Sequence, residues 1–186
     1  LERRYRETDS TTVRTEIGQI IAVARQLAVQ SVMGSPAQKQ AVAKAMTWAT
    51  KWRAIDPGNA QIDHTIGELL LVVGDRAEAW RQLSSVIERD PMSGDGYQTV
   101  ANAFEGQGRV AEALEFWQQA IVIDQTNPTP RMRKAQALIA LGKTVEGDKL
   151  LAEIAARKWH ERHDNVVYQV KAMIERAKQQ AGNVDP

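Results

Sequence analysis

From Asp56 onward the apolar positions recur at helical spacing, in two segments of helical length per 34-residue stretch, and no segment alternates strictly as a strand would. The chain therefore reads as helix, turn, helix, repeated. The inner turns carry Gly74, Gly108 and Gly142, and the outer turns open on Asp56, Asp90 and Asp124; within each series the members are 34 residues apart. A glycine accepts the positive φ that ends one helix and reverses the chain, while Asp56-Pro57, Asp90-Pro91 and Asn127-Pro128 steer the backbone away from continued helix.

Upstream of Asp56 the pattern is longer. Ser35-Pro36-Ala37-Gln38 supplies an N-cap, an N1 proline and a capping-box glutamine, which predicts a helix over about 36–54. The segment before it, about 12–32, is predicted to be a helix with Val13, Ile17, Ile20, Ile21, Ala24, Leu27 and Ala28 on one face. At the far end, Val166, Val167, Val170, Ala172, Met173 and Ile174 share a segment with the charged Lys171, Glu175, Arg176 and Lys178. One apolar face and one polar face are what a terminal capping helix requires.

Close packing is signalled by small residues in phase: Ala45, Ala79, Ala113 and Gly147 in the second helices, and Gly67, Ala101 and Ala135 in the first. With these residues placed, the chain resembles the tetratricopeptide repeat (TPR) family, whose 34-residue helix pair carries W-x2-L-G-x2-Y, then A-x3-F, then P. Over 60–93, Ile66, Gly67, Leu70, Ala79, Leu83 and Pro91 follow the pattern, with Asp63 in place of the Trp. Over 94–127, Tyr97, Val100, Ala101, Phe104, Ala113 and Trp117 follow it, with Gln125 in place of the proline. Over 128–161, Ala135, Leu138, Gly147 and Leu151 remain, but Arg131 and Lys134 stand where large apolar residues belong, which leaves the packing of this unit on the preceding one open.

The resemblance implies an all-α fold, a right-handed superhelical stack of antiparallel helix pairs. The expected division is a basic arm over 1–11 (LERRYRE at its start), a divergent helix pair over 12–59, units over 60–93, 94–127 and 128–161, and a capping helix with its tail over 162–186. In this family the first helices line a concave wall that receives a peptide or partner helix. Transferred to this chain, the wall comprises Gln61, His64, Thr65, Glu68 and Leu71, then Asp95, Gln98, Thr99, Asn102 and Glu105, then Thr129, Met132, Arg133 and Gln136. Its acidic side chains, Glu68, Asp95 and Glu105, precede the basic Arg133, so an extended ligand is expected to lie with its positive portion nearer the first units. Asn102 and Arg133 stand at positions like those of the family's carboxylate clamp, but the clamp lysines are missing, which disfavours a receptor for chaperone tails.

Composition narrows the partners. With 24 Lys and Arg against 23 Asp and Glu, the net charge is +1, which argues against nucleic acid. The most apolar stretch, ELLLVVG at 68–74, is too short to span a bilayer. Without cysteine there are no disulfides or thiolate metal sites, a condition compatible with cytoplasm, periplasm or export, so the compartment stays open. The composition has a bacterial cast. The basic start reads as a solvated arm, with the flank of a removed membrane anchor as its rival.

Chemistry finds little purchase. His160 and His163, three apart beside Asp164, have a spacing compatible with a metal, but Arg157, Lys158 and Arg162 oppose a cation, and both read as surface histidines. His64 stands alone, and no nucleophile elbow, phosphate loop, dinucleotide fingerprint or HExxH occurs. The carboxylates read as exposed, none falling where desolvation would tune it. Trp52 and Trp117 fall at core phases, whereas Trp80 is expected on the outer side as a second contact surface or packed on a neighbouring helix, and Trp159 is undetermined. The sequence thus predicts a non-catalytic adaptor without metal or cofactor, binding a protein or peptide segment. The rival is a rigid spacer or self-association module of a larger polypeptide, using Trp80, Trp159 or the ends, and the oligomeric state is left open.

Overall fold

The computed structural model describes residues 10–182, with side chains over 12–179. Of the expected basic arm, positions 1–9 lie outside the described residues, as do the last four of the expected tail. All regular structure among the described residues is helical, and the chain divides into two compact units, Leu1–Arg89 and Asp90–Pro186. The first unit holds α1 (Ser10–Gln30), α2 (Pro36–Ile55), α3 (Ala60–Val73) and α4 (Arg76–Arg89). The second holds α5 (Gly94–Gly106), α6 (Val110–Ile123), α7 (Thr129–Ala140), α8 (Thr144–Ala156), a 3-10 turn (Glu161–His163) and α9 (Asp164–Gly182). Helices pair in chain order, α1 with α2, α3 with α4, α5 with α6 and α7 with α8.

The inner turns are built alike. Gly74, Gly108 and Gly142 have φ of 89°, 72° and 78°. The residue after each glycine donates its N–H five residues back, Asp75 to Leu70, Arg109 to Phe104 and Lys143 to Leu138, each at 2.9 Å. This closure satisfies carbonyls that the end of a helix would leave bare. A fourth left-handed glycine, Gly34 with φ 76°, turns α1 into α2 and lies outside the 34-residue series.

At that first turn the predicted cap forms. Ser35 Oγ accepts from the Gln38 N–H at 3.2 Å. Gln38 departs from the standard box: its Oε1 accepts from Gly34 N at 2.7 Å, and its Nε2 donates to Ala28 O at 3.2 Å, tying the end of α1 to the start of α2. On α1 the buried stripe is Val13, Ile17, Ile21, Ala24 and Ala28, in steps of four and three. Leu27, expected on that face, is instead 51% exposed, because it falls about 80° of helix rotation from the centre of the buried stripe.

Within each pair the axes meet over small residues. Ala45, Ala79, Ala101, Ala113 and Ala135 are fully buried. A methyl placed on Gly67 would lie 2.6 Å from Leu83 Cγ, and one on Gly147 would lie 2.5 Å from Ile139 Cγ1 and 2.9 Å from the Ala135 carbonyl oxygen. The positions leave no room for more than they hold.

In the third pair, Arg131 and Lys134 find polar substitutes for the apolar contacts of the pattern. Lys134 Nζ donates to Gln118 Oε1 at 2.6 Å, joining α7 to α6. The Arg131 guanidinium lies over the Trp159 ring, 5.5 Å from its centre. The last helix starts at Asp164, two residues later than the expected segment, because Glu161–His163 form the 3-10 turn. Its Val166 and Val170 complete a core with Met132, Ala135, Leu151 and Ile154, and its Lys171, Glu175, Arg176 and Lys178 are exposed. It covers the final pair as a cap does.

The two helical glycines Gly147 and Gly106 separate packing from propensity. Gly147→Ala is expected to destabilise by about 1–2 kcal/mol, since overpacking outweighs the helical gain of the methyl. Gly106→Ala, where nothing lies within 4 Å of the added carbon, is expected to stabilise by about 0.5–1 kcal/mol. Thermal melts followed by circular dichroism read both; shifts of the same sign would contradict this packing.

Candidate functional site

On α3 the predicted wall residues form a connected set. Gln61 Nε2 meets His64 Nδ1 and donates to Thr65 Oγ1, each at 3.2 Å. His64 Nε2 lies 3.2 Å from Glu68 Oε1, and Arg25 of α1 reaches Glu68 Oε2 at 2.8 Å. The hydrogen bond with His64 does most to hold the Glu68 carboxyl below the usual carboxylate range, helped by the charges of His64 and Arg25 and opposed by desolvation. Leu71, expected on the same wall, is buried.

In the second unit the placements differ by residue. On α5, Gln98 Nε2 donates to Asp95 Oδ1 at 3.1 Å, Thr99 is half-buried, and Asn102 is exposed. Glu105 is drawn inward: its Oε1 accepts from Trp117 Nε1 at 2.8 Å, which satisfies the indole of a side chain only 1% exposed. On α7, Thr129 is half-buried, Arg133 is exposed, and Gln136 Nε2 lies 3.7 Å from Met173 Sδ of the capping helix. Met132 corrects the expectation: it is buried in the core beside Ile154 and Val170 and offers a ligand no surface. No hydrogen bond or ion pair among the described residues joins the α5 set, Asp95 to Asn102, to Thr129, Arg133 and Gln136. The expected acidic portion is also weakened, since Glu68 is matched by Arg25 and Glu105 by an indole.

The principal correction concerns the carboxylates. Asp63, which occupies the tryptophan position of the repeat, is 2% exposed. Arg53 Nη2 from α2 meets its Oδ1 at 2.5 Å, and Arg89 Nε from the end of α4 meets its Oδ2 at 2.6 Å. Arg53 also donates to Gln82 Oε1 at 3.0 Å, and Arg89 Nη1 to the carbonyl of Pro57 at 2.5 Å. One carboxylate thus joins three helices. The available signal was an acidic residue at a position the repeat makes apolar, with arginines closing two flanking helices.

The histidines are spent locally. His160 Nδ1 accepts from the Arg162 N–H at 3.2 Å, capping the 3-10 turn, and His163 Nε2 accepts from Arg162 Nε at 3.0 Å. Among the described residues no three His, Asp or Glu side chains gather closely enough to hold a metal. Trp52 and Trp117 are core residues, Trp80 is half-buried, and Trp159 donates to the Ile154 carbonyl at 2.8 Å. No helix among the described residues is long and apolar enough to cross a membrane.

No family model matches the chain. A curated protein of Bacillus subtilis (strain 168), the TPR repeat-containing protein YpiA, is 33% identical over 78 residues. Those residues take in 42% of this chain and 18% of YpiA, so the chain spans under a fifth of the relative's length. Solved structures of MamA share the fold. MamA MSR-1 C2 gives a TM-score of 0.51 at 16% identity over 95% of this chain and 98% of that one. The MamA RS-1 ArsTM double mutant gives 0.51 at 14% identity over 81% and 90%.

Two measurements probe the first unit. Asp63→Asn keeps the shape but leaves two guanidiniums without their counter-charge, and urea denaturation is expected to show a loss of about 3 kcal/mol, the lower end for a broken buried pair because both arginines still reach water. A loss under about 1 kcal/mol would show that the triad is dispensable. For Glu68, the folded-state pKa lies below the unfolded one, so its stabilisation is present above the unfolded value and is lost as pH falls through the folded one. The stability gap between wild type and Glu68→Gln is expected to narrow from about pH 5 to about pH 3; a widening gap contradicts the pairing with His64 and Arg25.

Proposed function

We propose that this chain, whose helix pairs are of the tetratricopeptide type, is a non-catalytic adaptor that binds a protein or peptide segment along the polar faces of its first helices. Helix pairs of this type are built for protein interaction. In the first unit the face is that of Gln61, His64, Thr65 and Glu68 on α3; in the second it comprises Asp95, Gln98, Thr99 and Asn102 on α5 and Thr129, Arg133 and Gln136 on α7. Each unit carries its own face.

The observation that supports this reading is that Asn102 and Arg133 are exposed and make no side-chain hydrogen bond or ion pair among the described residues. An amide and a guanidinium left unspent on the first helices of adjacent pairs suit a ligand backbone and a ligand carboxylate. Glu105 and Met132 are not part of the face, because the fold uses them internally.

A second reading, self-association, is favoured by α1, where Val23 is 57% and Leu27 51% exposed. Light scattering across a concentration series separates the two, since only self-association gives a mass that rises with concentration.

The adaptor reading is tested by affinity capture of the partner with the full chain, followed by titration of the Asn102→Ala/Arg133→Ala variant. Each contact is expected to contribute about 1 kcal/mol, so the double variant should bind about 30-fold more weakly with an unchanged helical spectrum. Undiminished affinity would remove α5 and α7 from the binding surface.

A further inference from the structure

The connection between α8 and α9 reads Arg157-Lys158-Trp159-His160-Glu161-Arg162-His163, and the adaptor reading leaves it unused. Its indole is pinned by the hydrogen bond to Ile154, which caps a carbonyl in the last turn of α8. Against the ring lie two guanidiniums, Arg157 at 4.5 Å and Arg131 at 5.5 Å from the ring centre. Arg131 is itself held by carbonyls, its Nη1 donating to Gln125 O at 3.3 Å and Asn127 O at 3.2 Å. Neighbouring Lys158 and Arg162 are exposed.

These cations lack counter-ions at contact. Among the described residues none of Arg131, Arg157, Lys158 and Arg162 takes part in an ion pair. Burial, and after it the charge of Arg157, push the Arg131 guanidinium below its ordinary value, against the weaker pull of Asp124 and Glu153. Two like charges are therefore held beside one ring, one of them partly desolvated, with Asp124 and Glu153 close enough to act on them but not at ion-pair contact.

We propose that Arg131, Arg157, Lys158 and Arg162 around Trp159 form a docking surface for an acidic peptide segment, separate from the α5 and α7 face. Arg157, beside the fixed indole and without a side-chain hydrogen bond among the described residues, has its N–H groups available to a carboxylate, while Arg131 and Arg162 keep the N–H groups not already given to carbonyls and to His163. The four cations come from the start of α7, the end of α8 and the 3-10 turn, so they are distributed for several carboxylates along an extended chain. Nucleic acid is a poorer match, because single strands stack bases on aromatic faces and this ring already carries two guanidiniums.

The test is fluorescence anisotropy of a fluorescein-labelled hexaglutamate peptide titrated with the full chain at low salt. A saturable rise is expected, weakened on the order of tenfold by Arg157→Glu/Arg162→Glu. The control pair Lys149→Glu/Lys171→Glu makes the same change in net charge at other exposed positions and should move affinity by less than about twofold. Should the reversal lower the melting temperature, Arg157→Gln/Arg162→Gln, which only removes charge, gives the comparison and should weaken binding several-fold. The proposal is overturned by no saturable rise with the wild-type chain, by equal losses in the test and control pairs, or by tighter binding of a labelled hexathymidylate than of hexaglutamate.

Discussion

Two helices that cross with no side chain larger than a methyl between them can approach only in one way, and the rest of each unit is arranged around that contact. Ala79 faces the turn of α3 that carries Gly67, where one added carbon would collide with the Leu83 side chain, and Gly147 meets α7 at Ala135 and Ile139, where it would collide with the Ala135 carbonyl as well as with Ile139. Because the crossing point is set, the chain between the helices must reverse tightly, and the left-handed glycine with its five-residue hydrogen bond does this at Gly74, Gly108 and Gly142 alike. The 34-residue spacing is the length of chain needed to return to the same contact. Larger residues on either side, such as Leu83 against Gly67 and Ile139 against Gly147, then pack over the crossing and exclude water from it.

Where the repeat departs from its pattern, electrostatics take the place of apolar packing. Asp63 stands at a tryptophan position, and its carboxylate is enclosed by guanidiniums from α2 and α4. A buried charge of this kind contributes less net stability than an apolar residue of equal volume would, because desolvation offsets most of the attraction. What it does is tie α3 to both neighbours, Arg53 of α2 and Arg89 of α4 each holding one oxygen of the carboxylate. Arg131 and Lys134 follow the same rule more mildly, trading apolar contact for an indole face and an amide.

Much of this was legible in the residues because it is local or periodic. The left-handed glycines, the Ser35 cap, the small crossing residues and the amphipathic final helix each depend on a few neighbours in sequence. Asp63 was not legible, since its environment is made by arginines ten residues before it and 26 after it, which only the folded helices bring together. The wall residues were partly legible. Glu68, Asn102 and Arg133 lie on accessible polar faces, but Leu71, Glu105 and Met132 turn inward. On a helix one position is about 100° of rotation, so a phase carried over from a family pattern misplaces residues near the edge of a face.

The Arg53–Asp63–Arg89 arrangement also has a bearing on descent. Replacing Asp63 alone strands two guanidiniums, and replacing either arginine alone removes half of the compensation for a buried carboxylate. An apolar set at the same three positions would be as stable or more so. Every single-step route towards it nonetheless strands one partner of a buried pair, so these three positions are constrained to change together rather than one at a time.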